Sequence, residues 1–456
     1  MFKKRKLDMT EGPVFQKLLL FAIPLVLNSI INQFYSTADT IMMGRFSGAG
    51  AMAAVGASAH PLKLLINLVS GLAMGVTVAC GNYKGSGDKQ ALSECMHSGI
   101  SLGALAGVVL ALVGVPLCGT LLKGLDTPVE ILADATLYMQ IRLGFGISQL
   151  VATFASNIFY ANGDTQTATI VGVLSGLSNV LLNVLFVPVL GMGVAGVALA
   201  TGISQTINAG VLCVLLFLPK GQYRLSLRKL QLKWKYVRNI LTTGIPTGLS
   251  HSIVSFSNVM MQSAVNSFGY LVVAGNTAAD NLITYIILVP QAFHSACITA
   301  AAQCYGAGDL PRIRQTVRSA TTGLVAIVFA TDVIMTIGGR FLLGLFSSDP
   351  QVIQAGMPKL MFNCWGYVIF SLSKVYGGTL AGLRKSSLSL ICDISCVILP
   401  RLIWVWFVVP YMHTPTVLYV IYPITWLFVS TATGVILHRQ MRKLESSADN
   451  TAGALQ

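Results

Sequence analysis

Apolar stretches of about 20 residues, long enough to cross a bilayer as helices, recur along the whole of this chain. Of its 456 residues, 54% are hydrophobic and only 10% charged. Soluble domains carry roughly 25% charged residues, so this chain cannot cover a surface that faces water on all sides. Composition and pattern together specify a polytopic membrane protein.

The stretches come in two similar sets. Ile23-Pro24 recurs as Ile245-Pro246, Gly85-Ser86-Gly87-Asp88 as Gly306-Ala307-Gly308-Asp309, and Val187-Pro188 as Val409-Pro410. The three landmarks keep one offset to within a residue, which marks a duplicated half. The duplication breaks at an acid: Asp39 lies in the first apolar span, and the same shift places Met261 opposite it.

The net charge of +14 raises nucleic acid as a partner, but the placement of the basic residues argues against one. They gather in alternate connections: Lys3 to Lys6, Lys84 and Lys89, Lys220 to Arg238, Arg312 to Arg318, Arg384 and Lys385, and Arg439 to Lys443. The intervening connections hold only Arg45, Lys123 and Arg340. That alternation follows the positive-inside rule, and attraction to anionic lipid accounts for the excess. It puts both termini and the central linker in the cytoplasm, with an even number of spans per half.

Twelve transmembrane helices are predicted, near 14–43, 50–82, 90–122, 129–160, 166–188 and 193–218, then 239–267, 272–304, 313–345, 351–381, 386–410 and 416–439. The fold expected is all-α, two six-helix bundles related by a pseudo-two-fold axis along the membrane normal. Its parts are a tail (1–13), an N-lobe (14–218), a basic linker (219–238), a C-lobe (239–440) and a disordered tail (441–456). The linker reads either as an interfacial amphipathic segment or as a solvated connector. Glycine totals 44, in keeping with close helix packing in lipid. The nine cysteines are scattered singly and read as small buried hydrophobes. A basic amino terminus without a small-residue cleavage site reads as a retained span rather than a removed signal.

An ionised side chain at the centre of a span costs about 2.5–3.5 kcal/mol on insertion scales. Most acids avoid that by flanking spans: Asp88, Asp126, Glu130, Asp164, Asp309 and Asp349. Asp39 does not. Asn28, Asn32, Tyr35, Asp39 and Met43 follow one another at spacings of four or three, along one helix face. A polar stripe ending in an acid must face protein or a watery cavity; the alternative is an Asp reaching headgroup water near Arg45. A second stripe, Asn179 and Asn183, lies in the fifth span, and Thr201 lies in the sixth. Amide and hydroxyl oxygens suit a carboxylate that exchanges a proton or a hard cation, and interhelical packing bonds are the alternative. Met42-Met43 and Met260-Met261 occur in both halves; thioethers suit a promiscuous apolar surface, although Met at helical spacing more often faces lipid or core.

The remaining intramembrane polar residues read as structural. Lys374 is expected to snorkel toward the cytoplasmic end of the tenth span, and Arg401 reads as a buried charge partner before a substrate ligand. Asp280, Asp332 and Asp393 are expected near helix ends or paired, and His60, His251 and His294 packed. No phosphate-binding Gly-x-x-x-x-Gly-Lys loop is present, so ATP does not drive the chain directly. No catalytic cluster in a span points to an enzyme.

These residues resemble the multidrug and toxic compound extrusion (MATE) family over nearly the whole chain. The first span, Ile23-Pro24 through Asp39 to Met43-Gly44, looks like that family's first helix. Gln303-Cys304-Tyr305-Gly306-Ala307-Gly308-Asp309 is similar to its Gln-Asn-x-Gly-Ala-Gly-Asp signature. Asn179-x-x-x-Asn183 and Gly193 to Thr201 resemble its fifth and sixth helices, though Asn183 stands where many members have Asp. The resemblance, to the DinF-like branch with its cation site in the N-lobe, implies a secondary active transporter rather than an enzyme. Such a protein exports organic cations and amphiphiles by alternating access, in antiport with Na⁺ or H⁺. The cation site would fall on Asp39, Asn179, Asn183 and Thr201, with Pro24 as the bending point. Asn28, Asn32, Tyr35, Met43, Met260 and Met261 become candidates for the substrate cavity. No cofactor is implied, nor any partner beyond lipid and small molecules; a monomer in a bacterial inner membrane is expected. The alternatives are a MOP-type lipid-linked oligosaccharide flippase, which should need a strongly basic central cavity, or another carrier of six plus six helices.

Overall fold

The protein is described from a computed structural model covering residues 7–125, 127–218, 225–346, 349–412 and 414–453. Asp126, the first six residues of the N-terminal tail, linker residues 219–224, the last three residues and the His60 side chain lie outside the described residues. Every expected span is helical. The first half comprises α1 (Val14–Phe46), α2 (Gly48–Gly85), α3 (Lys89–Gly124), α4 (Val129–Gly144 and Gly146–Ala161), α5 (Thr165–Val184) and α6 (Gly193–Phe217). The second comprises α7 (Trp234–Asn266), α8 (Tyr270–Ala307), α9 (Leu310–Gly344), α10 (Pro350–Gly382), α11 (Ser386–Asp393, continuing in short helical pieces to Met412) and α12 (Pro415–Gly453). Among the described residues, nine of these helices are long and apolar enough to cross a membrane.

The repeated Gly-x-Gly-Asp runs punctuate the helices. Gly87 and Gly308 take left-handed φ values of 73° and 75°, which cost glycine little and other residues more. The following aspartates cap the next helices: Asp88 Oδ1 accepts from Ala91 N–H at 2.9 Å and Asp309 Oδ1 from Arg312 N–H at 3.0 Å. Asp164 and Asp349 cap α5 and α10 in the same way. Four of the flanking acids, Asp88, Asp164, Asp309 and Asp349, are therefore caps that satisfy orphan backbone donors, while Glu130 lies in the first turn of α4.

Two expectations are corrected. The fourth span is not one unbroken helix: it steps at Phe145, between Gly144 and Gly146. There the ring fills space against Gly202 that a side chain on Gly202 would occupy. Residues 441–453 of the tail are not disordered as expected, since α12 runs on to Gly453. Met441 and Leu444 extend its apolar face, and Arg314 Nη2 pairs with Glu445 at 2.5 Å.

By contacts the chain forms two compact units, Met1–Asp8 with Pro24–Gly248, and Met9–Ile23 with Leu249–Gln456. The divisions fall inside α1 and α7 rather than in the linker. In the first unit, Gly71 and Gly75 of α2 meet Gly244 and Gly248 of α7 backbone to backbone. In the second, Met9 N–H donates to Gln303 Oε1 at 3.0 Å and Arg312 Nε to Met9 O at 2.7 Å.

From Leu225 onward the linker is docked against the first unit rather than a solvated connector. Leu225 is buried against the α2–α4 core and Leu230 packs on it. His97, 3% exposed, donates from Nδ1 to Ser93 O at 2.6 Å and accepts at Nε2 from Ser226 N–H at 2.9 Å. Lys233 Nζ pairs with Glu94 at 2.8 Å. His97→Phe would strip the half-buried Ser226 amide of its acceptor, a loss of about 0.5–1.5 kcal/mol. Faster amide exchange at Ser226 and faster tryptic cleavage at Arg228 should follow; unchanged exchange would show that the histidine does not hold the linker.

Candidate functional site

The stripe on α1 faces α5 in parallel register. Gly172 leaves room for Asn28, whose Oδ1 lies 2.7 Å from where a Cβ would stand, and Gly176 seats the Tyr35 ring. Tyr35 OH donates to Val173 O at 3.2 Å. Near the foot of the stripe, Thr169 Oγ1 donates to Pro24 O at 3.1 Å. Pro24 has no N–H to offer Leu20 O, so α1 is short of one internal hydrogen bond at this point.

One register further along, Asn183 Nδ2 donates to Asp39 Oδ1. Asn183 Nδ2 also reaches Asn179 Oδ1 at 3.3 Å, and Asn179 Nδ2 reaches Thr201 Oγ1 at 3.3 Å. Turning the Asn179 amide over lets its nitrogen donate to Asp39 Oδ1 at 3.1 Å and its oxygen accept from Thr201 N–H at 3.3 Å. Either way the four residues form one connected set. The lower rung is fixed too: Ser204 Oγ donates to Thr201 O at 2.9 Å, and Ser175 Oγ to Ser204 O at 2.6 Å.

Asn179 and Asn183 are 5% and 1% exposed, and Asp39 is partly buried. Asn183 Oδ1 is buried without a hydrogen-bond partner among the described residues. A buried orphan acceptor beside a carboxylate calls for a water or an ion. Carboxylate, amide and hydroxyl oxygens match a hard monovalent cation, whereas no cluster of His, Cys, Asp or Glu suited to a transition metal occurs among the described residues.

The expected cation set is thus brought together. The expected substrate set is not. Met43 is fully buried among Ala51, Val187, Val194 and Val197, and Met261 is 2% exposed among Val265, Leu418 and Tyr419. Both fill packed cores rather than line a cavity, because their flexible side chains close irregular gaps between helices. Asn28 and Tyr35 are partly buried against α5, Asn32 is exposed, and Met260 is half-buried.

Arg142 of α4 was not singled out from sequence. It lies within electrostatic reach of Asp39, with Tyr138 beside it, and its Nε is buried without a hydrogen-bond partner among the described residues. A lone arginine in an apolar span was the available signal. Lys374 departs from its expectation: the ammonium lies 4.8 Å from the Phe370 ring, one turn back and away from the nearer helix end. Helical side chains point toward the N-terminus, and the ring face attracts the cation. Asp280 pairs with Lys359 at 2.5 Å, and Asp393 accepts from Ser250 Oγ. Asp332 is neither paired nor near a helix end; it is fully buried within α9, and no hydrogen-bond partner is found for it among the described residues.

The MatE family profile matches residues 24–185 and again residues 246–406. The chain belongs to the MatE family. The double match is the duplication seen in the sequence. A Bacillus subtilis relative, the probable multidrug resistance protein YpnP, is 27% identical over 373 residues, covering 81% of this chain and 83% of its own. A MATE protein crystallised with MaL6 superposes with a TM-score of 0.90 at 20% identity, covering 97% of this chain and 99% of that one. An outward-facing MATE transporter of the MOP superfamily gives 0.89 at 20% identity, covering 98% and 100%. The MATE fold and multi-pass membrane embedding follow, and with them a transporter rather than an enzyme family.

Proposed function

We propose that the chain is a secondary active multidrug efflux transporter of a bacterial inner membrane, with both termini cytoplasmic. It works as a monomer and exports organic cations and amphiphiles in exchange for Na⁺ or H⁺. The observation that carries this reading is the Asp39–Asn183–Asn179–Thr201 set with its orphan amide oxygen. YpnP's description as a multidrug resistance protein supports the class of cargo.

The amides explain how one site serves two states. With the carboxylate empty and charged, N–H groups turn toward it, as Asn183 does. A bound cation would be served instead by the amide oxygens and Thr201 Oγ1. Each state thus satisfies a different set of hydrogen bonds, so ion binding can bias one conformation of α1 over another. Pro24, short of a helix bond, is the place where α1 would give.

Charge counting bounds the drive. One elementary charge crossing 100 mV supplies about 2.3 kcal/mol, and exchanging one monovalent ion for one monovalent cation moves no net charge. Cationic cargo then depends on the ion's concentration gradient alone, while zwitterionic cargo feels the voltage as well. The test is dye efflux from proteoliposomes energised by a Na⁺ gradient or by a pH gradient. One of the two should drive uphill export; transport with neither would refute antiport. Asn183→Asp should lower the Na⁺ concentration for half-maximal effect about tenfold at alkaline pH, by adding a second charge. Unchanged Na⁺ dependence would remove Asn183 from the site.

A further inference from the structure

The second unit contains a run of aromatic rings with a cation at each end. At one end, Arg401 of α11 is 3% exposed and its guanidinium carbon lies 4.4 Å from the Tyr422 ring centroid. Its Nη1 donates to Asn258 Oδ1 at 3.2 Å and its Nε to Thr425 Oγ1 at 3.4 Å. From Tyr422 the rings continue to Trp426 at 5.7 Å, and from Trp426 to Phe370 at 5.2 Å. Tyr367 backs the middle, 4.9 Å from Trp426. Lys374 closes the other end over Phe370.

Neither Arg401 nor Lys374 makes an ion pair among the described residues. The acid in reach of Lys374 is Asp393, already engaged by Ser250 Oγ. Within a membrane each such cation costs about 2.5–3.5 kcal/mol on insertion scales, and a ring face returns only about 0.5–2 kcal/mol. Packing alone would be better served by Met or Leu at both positions. Two positive charges held on one aromatic surface leave an unmet demand for an anion attached to a flat ring.

We propose that this strip binds a planar aromatic carboxylate or phosphate, recognised by its anionic group. Phe370 and Tyr422 are its half-buried faces, on which the ring stacks, and half-buried Lys374 takes the carboxylate or phosphate. Buried Arg401 holds the far end of the strip positive. The transport consequence, export of aromatic zwitterions as well as simple cations, rests on the efflux reading above; binding does not.

Two dyes that differ in one group decide the matter: an aminorhodamine with a free carboxylate, and its methyl ester. Binding to the full-length protein in lipid nanodiscs is read by fluorescence anisotropy. The acid should bind about tenfold more tightly than the ester, about 1.4 kcal/mol. Lys374→Met should erase that preference by weakening the acid alone, Arg401→Met should weaken it in the same direction, and Lys374→Arg should keep it. Equal affinities in the unaltered protein, or an acid preference that survives Lys374→Met, would overturn the site. Lys374 is half-buried, so its variants carry the test even if Arg401→Met fails to fold. An intact preference in a protein that exports neither dye would support the site and refute the efflux reading.

Discussion

Asp39→Asn is expected to abolish gradient-driven efflux and leave the protein folded. The substitution is isosteric, and the new amide oxygen can still accept from Asn183 Nδ2, so the α1–α5 contact stays satisfied. Removing a charge from within a span also relieves an insertion cost of about 2.5–3.5 kcal/mol. What disappears is the attraction for the ion. At 4 Å and an effective dielectric near 20, one charge is worth about 4 kcal/mol, roughly a thousandfold in affinity. A site that no longer binds its ion differently in two conformations cannot bias them. Uphill dye export should therefore fall to background under either gradient, while dye binding to the purified protein stays within about twofold. Asp39→Glu, which keeps the charge but displaces it by one methylene, should retain partial activity. Wild-type export by Asp39→Asn would mean that the coupling ion binds elsewhere, and the fully buried Asp332, without a hydrogen-bond partner among the described residues, would be the next carboxyl to test.

The sequence was most legible where a function is carried along one helix. Asn28, Tyr35 and Asp39 share a face because helical phase is a local property, and that face does meet α5. The duplication was legible because Gly-x-Gly-Asp is local punctuation, a left-handed glycine followed by a cap. What lay hidden depends on which helices meet. Nothing in the run Gln140-Ile141-Arg142 says that the arginine will stand near Asp39, about a hundred residues earlier. Lys374 was read by its distance from the helix end, but its direction is set by Phe370 one turn back. The chemistry of Met43 and Met261 leaves cavity and core both open, and neighbouring helices decide for the core by burying both. The tail was read by its polarity, although Met441 and Leu444 already continued the apolar face of α12.

Gly75→Val should prevent the first unit from assembling at all. A Cβ at Gly75 would overlap Ile240 O, and one at Gly71 would overlap the Gly248 backbone. From the other side, a Cβ at Gly244 would stand 2.7 Å from Leu72 Cα, and one at Gly248 would overlap Leu68 O. Gly71-x-x-x-Gly75 and Gly244-x-x-x-Gly248 are thus two small-residue seams that interlock, a device by which helices in lipid approach without side chains between them. Every obstructing atom is backbone, so no rotamer change can make room, and α2 must move away from α7 as a whole. Overpacking commonly costs about 1–3 kcal/mol when side chains can adjust; here the separation would also forfeit the contacts of Val237 and Ile240 with the α2–α4 core. Against a total stability of roughly 5–15 kcal/mol, Gly75→Ala should lower the unfolding temperature in detergent, and Gly75→Val should leave no monodisperse protein to purify. Gly56, on the same helix with nothing within 4 Å of its Cβ position, is the control. Its alanine variant should be neutral or stabilising, since alanine favours a helix over glycine by about 0.8–1.0 kcal/mol. If Gly56→Ala and Gly75→Ala melted alike, loss of glycine as such would be the cause and the interlocked seam would carry no special weight. A large difference between the two would place the assembly of the first unit, and with it the Asp39 site, on that backbone contact.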